Sequence, residues 1–373
     1  MRILHTADLH LGTRQYGLAE REEDFKQIAR KVLSSARQVG ADIVTLGGDN
    51  LDCVKPHGSA VEALKKAVDS AGVPVFGIDG NHDPSDGAWL RLCGITPLEQ
   101  WSGVESQPRP VPYIQDDVSI FGLNYAPYNK TIEKLEYIAK AGVGIDVMLM
   151  HAPLGDMFGN NLGFIQLTAG EIAKYLNKVG TRVVLLGDIH DYREVEIDGI
   201  RFVYPGSPEI SSSSERTDKS FTVVDINGGE YKTEIHSVAP RMFERRRVDT
   251  VEDLDNLADF IRDNPVNPVL LVDYNPDLEN AYGRIEAILQ GRAMFRIAAI
   301  SDDTDRDVSA VVAAIGSDID RSGTMKYLQQ VLDDPEASGN LSATEKDVLK
   351  QLLLDPDNIQ PVLRKYLSET FKL

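Results

Sequence analysis

The chain has 373 residues, two cysteines, 42% hydrophobic and 7% aromatic residues, and a formal net charge of −19. That composition is ordinary for a globular protein long enough for one large domain and a smaller one. It excludes a helical membrane protein, because no apolar run approaches the roughly 18–20 residues a spanning helix needs. It also excludes a disulfide framework or a cysteine zinc cluster, and phosphate binding by bulk charge alone.

The start, Met1 to Asp8, is too short and polar for a signal peptide and reads as a strand from residue 2. With so few cysteines, a reducing, cytoplasmic setting is expected. Strands are expected at Arg2–Thr6, Ile43–Leu46, Val73–Ile78, Val118–Leu123, Val147–Met150 and Val183–Leu186. They are rich in Val, Ile and Leu, as buried strands of a layered α/β fold are. Phe25, Ile28, Ala29, Val32 and Ala36 recur at helical spacing, which predicts an amphipathic helix over 20–39.

From 194 to 237 the style changes to hairpins. Glu194–Ile197 and Arg201–Tyr204 flank Asp198-Gly199, and Phe221–Asp225 and Tyr231–His236 flank Asn227-Gly228-Gly229. Ser211–Ser214 reads as a polar, mobile loop. Residues 238 to about 304 read as strand–helix–strand–helix–strand. There Thr250 and Asp253 form a capping box for a helix through Arg262. Val269–Tyr274, Leu278–Leu289 and Met294–Ile300 follow as strand, helix and strand. Asp333–Asn340 reads as a linker, and Ser342–Leu354 and Pro361–Phe371 as two helices. The domain reading is 1–237, a small α+β domain over 238–332, and linker plus terminal helices over 333–373.

Five motifs carry chemistry: Asp8-Leu9-His10, Gly47-Gly48-Asp49, Gly80-Asn81-His82-Asp83, His151, and Gly187-Asp188-Ile189-His190. Each sits just past the carboxyl end of an expected strand, where ligands of open α/β sheets gather. Any one alone is a common turn; their ordered recurrence is the signal. Carboxylate, amide and imidazole donors together suit Mn²⁺ or Mg²⁺ and accept Zn²⁺ or Fe²⁺. Asp49 is central enough to bridge two ions through its two oxygens. Two ions about 3.5–4 Å apart activate a water and hold a phosphate for in-line attack. No Walker-type loop is present, so ATP hydrolysis is not expected of this chain.

Other residues invite plainer readings. His5 reads as a satisfied core residue, His57 as surface, and His236 as lacking a partner motif. Asp83 and Asp52 read as groups that orient ligands without touching an ion. Arg241, Arg245, Arg246 and Arg247 form the one strongly basic patch, open to DNA contact or to ion pairing with the acidic surface.

At the five motifs the chain resembles the calcineurin-like metallophosphoesterases. More narrowly it resembles the SbcD-type nuclease subunits of double-strand-break repair, in their archaeal form. His5-Thr6-Ala7-Asp8-Leu9-His10-Leu11-Gly12, then Arg14-Gln15-Tyr16 and Arg21-Glu22-Glu23-Asp24-Phe25, match that subfamily's opening; Gly80-Asn81-His82-Asp83 and Tyr204-Pro205-Gly206-Ser207 match as well. The match is strong over 1–210 and only architectural over 238–304.

The resemblance implies a four-layer α/β sandwich with a small α+β capping, DNA-binding domain. It implies two Mn²⁺ per chain, with Mg²⁺ as the substitute. Asp8, His10, Asp49 and His190 would hold one ion, and Asp49, Asn81, His151 and Asp188 the other. His82 would protonate the leaving oxygen or stabilise the phosphate. The implied activity is 3′-to-5′ exonuclease and single-strand endonuclease on DNA, as a homodimer with an SbcC-type coiled-coil ATPase. The ATPase would dock on the terminal helices through Leu341, Val348, Leu352, Val362, Tyr366 and Phe371. Asp188 departs from the family's Gly-His-x-His and favours a harder ion. The acidic charge leaves three readings open: neutralisation by metal, DNA held mainly by a partner, or adaptation to salt. The alternatives are another metallophosphoesterase, such as a cyclic-nucleotide phosphodiesterase or a phosphatase, and a scaffold subunit with a degenerate site.

Overall fold

The structure is a computed structural model. It describes residues 1–300 apart from 85–86, 159–166, 213–214, 228–229 and 265. The expected linker and helices over 333–373, and the docking residues on them, lie outside the described residues.

In chain order the elements are β1 (Arg2–Thr6), α1 (Ala19–Ser34), β2 (Ile43–Leu46), α2 (Gly58–Ala71), β3 (Val75–Gly77), α3 (Ala88–Leu92), β4 (Thr96–Pro97), β5 (Trp101–Val104), β6 (Gln107–Pro110), β7 (Tyr113–Gln115) and β8 (Val118–Leu123). Then come α4 (Tyr128–Ala141), β9 (Val147–His151), α5 (Ala169–Leu176), β10 (Val183–Gly187), β11 (Arg193–Ile197), β12 (Ile200–Tyr204), β13 (Lys219–Asn227) and β14 (Glu230–Val238). Last are β15 (Phe243–Val248), α6 (Val251–Asp263), β16 (Val269–Tyr274), α7 (Ala281–Leu289) and β17 (Met294–Ala299).

Two six-stranded sheets dominate, ordered β14-β13-β1-β2-β3-β4 and β11-β12-β10-β9-β8-β7. Both have parallel centres: β1 with β2 and β3, and β8 with β9 and β10. Ile3, Ile43, Phe76 and Val224 from the first sheet pack with Ile120, Val147, Leu149, Val183 and Leu185 from the second. The outer face of the first sheet is covered by Phe25, Ile28 and Val32 of α1 and Leu64 and Val68 of α2. The outer face of the second is covered by Leu135 and Ile138 of α4 and Ile172 and Leu176 of α5. Helix, sheet, sheet, helix is the four-layer order expected. Strands buried on both faces need apolar residues without alternation, which is why β2, β9 and β10 read as continuous runs.

Several boundaries differ from expectation by a few residues, and three of them have a local cause. α1 stops at Ser34, not at 39. The hydroxyls of Ser34 and Ser35 donate back to Lys31 and Val32 carbonyls, a competition that weakens helical continuation. β3 loses its first two expected residues because Pro74 has no N–H for the ladder; its carbonyl still accepts from Val44 N. α7 begins at Ala281 because Asn280, at φ 50°, is in the left-handed region.

The described chain divides into two compact units. One comprises Met1–Arg246, Asp255–Val272 and Ile285–Arg296, and the other, among the described residues, Arg247–Leu254, Asp273–Arg284 and residues 297–300. β15, β16 and β17 form a three-stranded sheet in that order. In the second unit the capping box forms as expected, with Thr250 N donating to Asp253 Oδ2 at 2.8 Å and Asp253 N to Thr250 Oγ1 at 3.3 Å.

Candidate metal centre at the strand ends

The parallel strands deliver their carboxyl ends to one edge, and the loops there are stitched together by backbone. Asp8 N donates to Gly48 O at 3.0 Å, His10 N to Asp49 O at 2.9 Å, and Leu11 N to Asn50 O at 3.1 Å. The second sheet is tied in by Asp188 N, 3.1 Å from Asp8 Oδ1 and 3.2 Å from Oδ2. Asp8, His10, Asp49 and Asp188 all have positive φ, at 56°, 42°, 50° and 99°. Side chains pay on the order of 1 kcal/mol or more for such backbone, and here it turns them toward a common point.

His151 is buried and donates Nδ1–H to Gly47 O at 2.8 Å. That leaves Nε2 facing Asn81 Oδ1 at 2.9 Å, Asp49 Oδ2 at 3.5 Å and Asp188 Oδ1 at 3.6 Å. His10 Nε2 lies 3.3 Å from His190 Nε2 and 3.9 Å from Asp49 Oδ2. His82 stands beside this group, about a quarter exposed, with its ring edge-on to His10 at 5.1 Å. Its Nδ1 is 3.2 Å from Asp52 O, and its Nε2 is 4.0 Å from Asp49 Oδ2.

One oxygen of Asp49 is engaged by backbone. Oδ1 accepts from His82 N at 2.9 Å, and Oδ2 lies 3.9 Å from His10 and 3.5 Å from His151.

Asp83 is buried and accepts from Leu51 N at 2.8 Å, Gly80 N at 2.9 Å, Asn50 Nδ2 at 3.1 Å and Asn50 N at 3.2 Å. It locks the second and third motif loops together, as an orienting group would. Asp52 Oδ1 lies 3.3 Å from His10 Nδ1.

The electrostatics are those of crowded anions. Burial, with repulsion from Asp49, pushes Asp8 up, although His190 and His151 pull it down. Burial and the same neighbouring carboxylates push Asp188 up to about 6. Burial opposes charge on His151, but Asp49, Asp8 and Asp188 outweigh it and raise its pKa well above the ordinary value. Burial also opposes ionisation of Asp49, yet His151, His10 and His82 hold it low.

Asp8, His10 and His190 bring ligand atoms within 4.8 Å of one another; so do Asp8, Asp49 and His151, and His10, Asp52 and His82. The residues present fit a divalent cation. The Asp8, Asp49 and Asp188 carboxylates lie close together beside three imidazoles, and the His10 and His190 Nε2 atoms converge to 3.3 Å, a mixed oxygen and nitrogen donor set of the kind that holds such ions. All seven expected ligand residues therefore meet at one place, Asp188 among them.

A model of the calcineurin-like phosphoesterase family matches residues 1–192, just over half the chain. The chain belongs to that family. As a calcineurin-like phosphoesterase it is a member of a group of metal-dependent hydrolases. Similar proteins include the "DNA double-strand break repair protein Mre11" of Methanosarcina mazei, 28% identical over 259 residues, covering 65% of this chain and 39% of the relative. The protein of that name from Haloferax volcanii is 28% identical over 257 residues, covering 68% and 55%. That from Thermoplasma acidophilum is 26% identical over 320 residues, covering 78% and 80%. The chain thus spans well under two thirds of the first two relatives' length.

Elsewhere in this phosphoesterase the other candidates separate. His5 is fully buried between Thr45 Oγ1 at 3.0 Å and Leu186 O at 2.9 Å, a core residue. His57 is exposed before α2, and His236 stacks on Phe221 at 5.0 Å. In the basic patch, Arg241 grips Asp24 through two nitrogens at 2.7 and 2.8 Å. Arg246 pairs with Glu244 at 2.6 Å, Arg247 pairs with Asp249 at 2.6 Å, and Arg245 is exposed on β15.

Sequence reasoning missed Glu215, which accepts from His190 Nδ1 at 2.8 Å, and the buried Lys219 beside it. It read Ser211 as part of a mobile loop, whereas Ser211 Oγ lies 2.9 Å from His190 Nδ1. The buried start of β13 was the only signal; a lone lysine in a strand needs a carboxylate nearby. Among the described residues no helix is long and apolar enough to cross a membrane.

Proposed function

We propose that this chain is a two-metal DNA nuclease that processes double-strand ends. One observation carries the reading: Asp8, His10, Asp49, Asn81, His151, Asp188 and His190 converge at one sheet edge with His82 beside them. The repair-protein names of its relatives supply the substrate class.

Asp8, His10, Asp49 and His190 would hold one Mn²⁺ or Mg²⁺, and Asp49, Asn81, His151 and Asp188 the other. Two bound cations supply Lewis acidity and a water of lowered pKa at neutral pH. The chain's own residues do the rest. Asp83 keeps the motif loops in register. His82 Nδ1–H donates to Asp52 O, which turns Nε2 toward the site; in the doubly protonated ring Nε2–H would give its proton to the departing oxygen and leave the neutral Nδ1–H imidazole, a task suited to this side chain.

The finer reading is 3′-to-5′ exonuclease and single-strand endonuclease activity in the cytoplasm, as a homodimer with an SbcC-type ATPase. Residues 238–332 would cap the DNA and 333–373 would dock the partner. Arg241, Arg246 and Arg247 would reach phosphate only in competition with Asp24, Glu244 and Asp249. A net charge of −19 makes bulk attraction to DNA unfavourable, so metal and partner carry more of the binding.

The test is digestion of end-labelled duplex and single-stranded DNA with Mn²⁺, comparing wild type with His82→Ala. Loss of about a hundredfold or more in the variant is expected. No cleavage by wild type with any divalent metal or partner overturns the nuclease reading. Turnover of bis-p-nitrophenyl phosphate without DNA cleavage would assign another phosphodiester.

A further inference from the structure

We propose that Glu215 is the positioning residue of His190: it fixes the imidazole with Nδ1 protonated and Nε2 bare, trained on the site. The inference rests on the reading of His190 as a metal ligand. It assigns a role to a residue that no motif contains.

The geometry sets the proton. Glu215 Oε1 is 2.8 Å from His190 Nδ1. Ser211 Oγ is 2.9 Å from the same nitrogen and donates its own proton to Glu215 Oε1. A carboxylate only accepts, so His190 Nδ1 must donate. The Lys219 ammonium pairs with the same carboxylate from its other side. The neutral ring then carries its lone pair on Nε2, 3.3 Å from His10 Nε2.

Glu215 is itself braced. Its Oε2 takes an ion pair from Lys219 Nζ and accepts Ser211 N at 3.3 Å. Lys219 is 2% exposed and also donates to Ser207 Oγ at 2.9 Å and to His190 O at 3.4 Å. One ammonium therefore holds both the backbone of His190 and the carboxylate that grips its ring. Lys219 opens β13, which pairs with β1, the strand that leads into Asp8. The His190 ring is thus referenced to the sheet that supplies its partners, across 25 residues of sequence from Glu215. A carboxylate on the far nitrogen of a ligating histidine sets tautomer and orientation, and its loss costs roughly 10–100-fold in metal affinity.

A purely structural role, in which Glu215 only neutralises Lys219, makes a different forecast, and two variants separate them. Glu215→Gln keeps the shape and loses the charge. Glu215→Ala with Lys219→Met removes the buried pair together, so no orphan charge burdens the fold. Mn²⁺ affinity is measured by competition with a fluorescent chelator. The His190 tautomer in metal-free full-length chain is read by long-range ¹⁵N–¹H correlation. Expected are an Nδ1–H tautomer in wild type, its loss in the double variant, and Mn²⁺ binding weakened tenfold or more in both variants. An Nε2–H tautomer in wild type overturns the proposal, as does a folded double variant that binds Mn²⁺ within threefold of wild type. If a variant fails to fold, the wild-type tautomer decides alone. A wild type that binds no divalent metal sinks the metal reading itself, whereas equal binding by wild type and variants sinks only the role of Glu215.

Discussion

Gly187 lies beside His151 in the parallel register of β10 and β9, and a methyl group on Gly187 would sit 2.8 Å from His151 Nδ1 and 2.2 Å from Gly47 O. That is the hydrogen bond that aims His151 at the site, and it leaves no room for a side chain. Gly187→Ala should therefore cost about 1–3 kcal/mol of stability through overpacking. It should also displace His151 enough to weaken Mn²⁺ binding at least tenfold. Denaturant unfolding and metal titration on the same variant check both; a variant with wild-type affinity would show that the contact tolerates strand movement.

Asp188 faces His151 at 3.6 Å where the family pattern has histidine. Its carboxylate favours hard cations over soft ones. Asp188→His should shift preference toward Zn²⁺ relative to Mn²⁺, and Asp188→Asn should weaken Mn²⁺ about tenfold. Competition titrations with both metals give the ratio. An unchanged Zn²⁺-to-Mn²⁺ ratio in Asp188→His would remove Asp188 from the ligand set.

His5 should make the fold sensitive to mild acid. Burial lowers its pKa to about 4 despite hydrogen bonds with Leu186 and Thr45, against 6.5 ordinarily. The unfolded chain thus binds more protons between those values. The contribution to stability is fully present above pH 6.5 and is lost as pH falls toward 4, by on the order of 3 kcal/mol. In His5→Gln this dependence disappears, so the stability gap between wild type and variant should narrow by that amount across the window. Unfolding curves at pH 4, 5, 6 and 7 test it; a gap that stays constant contradicts it.

Arg21 is fully buried. It donates to Asp24 at 2.7 Å, Glu209 at 3.0 Å, Gln15 at 2.9 Å and the Ile210 carbonyl at 2.9 Å. Removing one member of a buried charge network leaves the others unpaired and costs about 3–5 kcal/mol. Arg21→Ala should show that loss in urea, and Arg21→Lys most of it, because an ammonium cannot reach four separated acceptors. A loss under about 1 kcal/mol for Arg21→Ala would mean that Arg241 alone neutralises Asp24.

The candidate metal centre was legible because each motif follows an apolar strand and β-topology brings strand ends together. Asp8, Asp49 and Asp188 needed only that logic. Glu215 was not legible, since its grip on His190 depends on how β13 returns beside β1, and a serine-rich loop masks it. Helix ends failed for local reasons. Apolar spacing continued past Ser34 while its hydroxyl had already turned back to the chain. Asn280 spoiled the first turn of α7 through its backbone angle, which composition does not disclose. The arginine patch kept both of its readings in sequence; in the fold Arg241, Arg246 and Arg247 all hold carboxylates.

The edge where Asp188 N meets Asp8, His151 meets Gly47 and His5 meets Leu186 is also the seam between the two sheets. Each of those bonds crosses it. The site therefore works as a gauge of how the sheets are aligned. A slip of an ångström, harmless to the hydrophobic sandwich, would pull the donor atoms out of range, and errors of that size cost about a hundredfold in rate. Truncations far inside the seam, such as Ile43→Ala or Leu185→Ala, would then imitate active-site lesions while leaving every functional side chain in place.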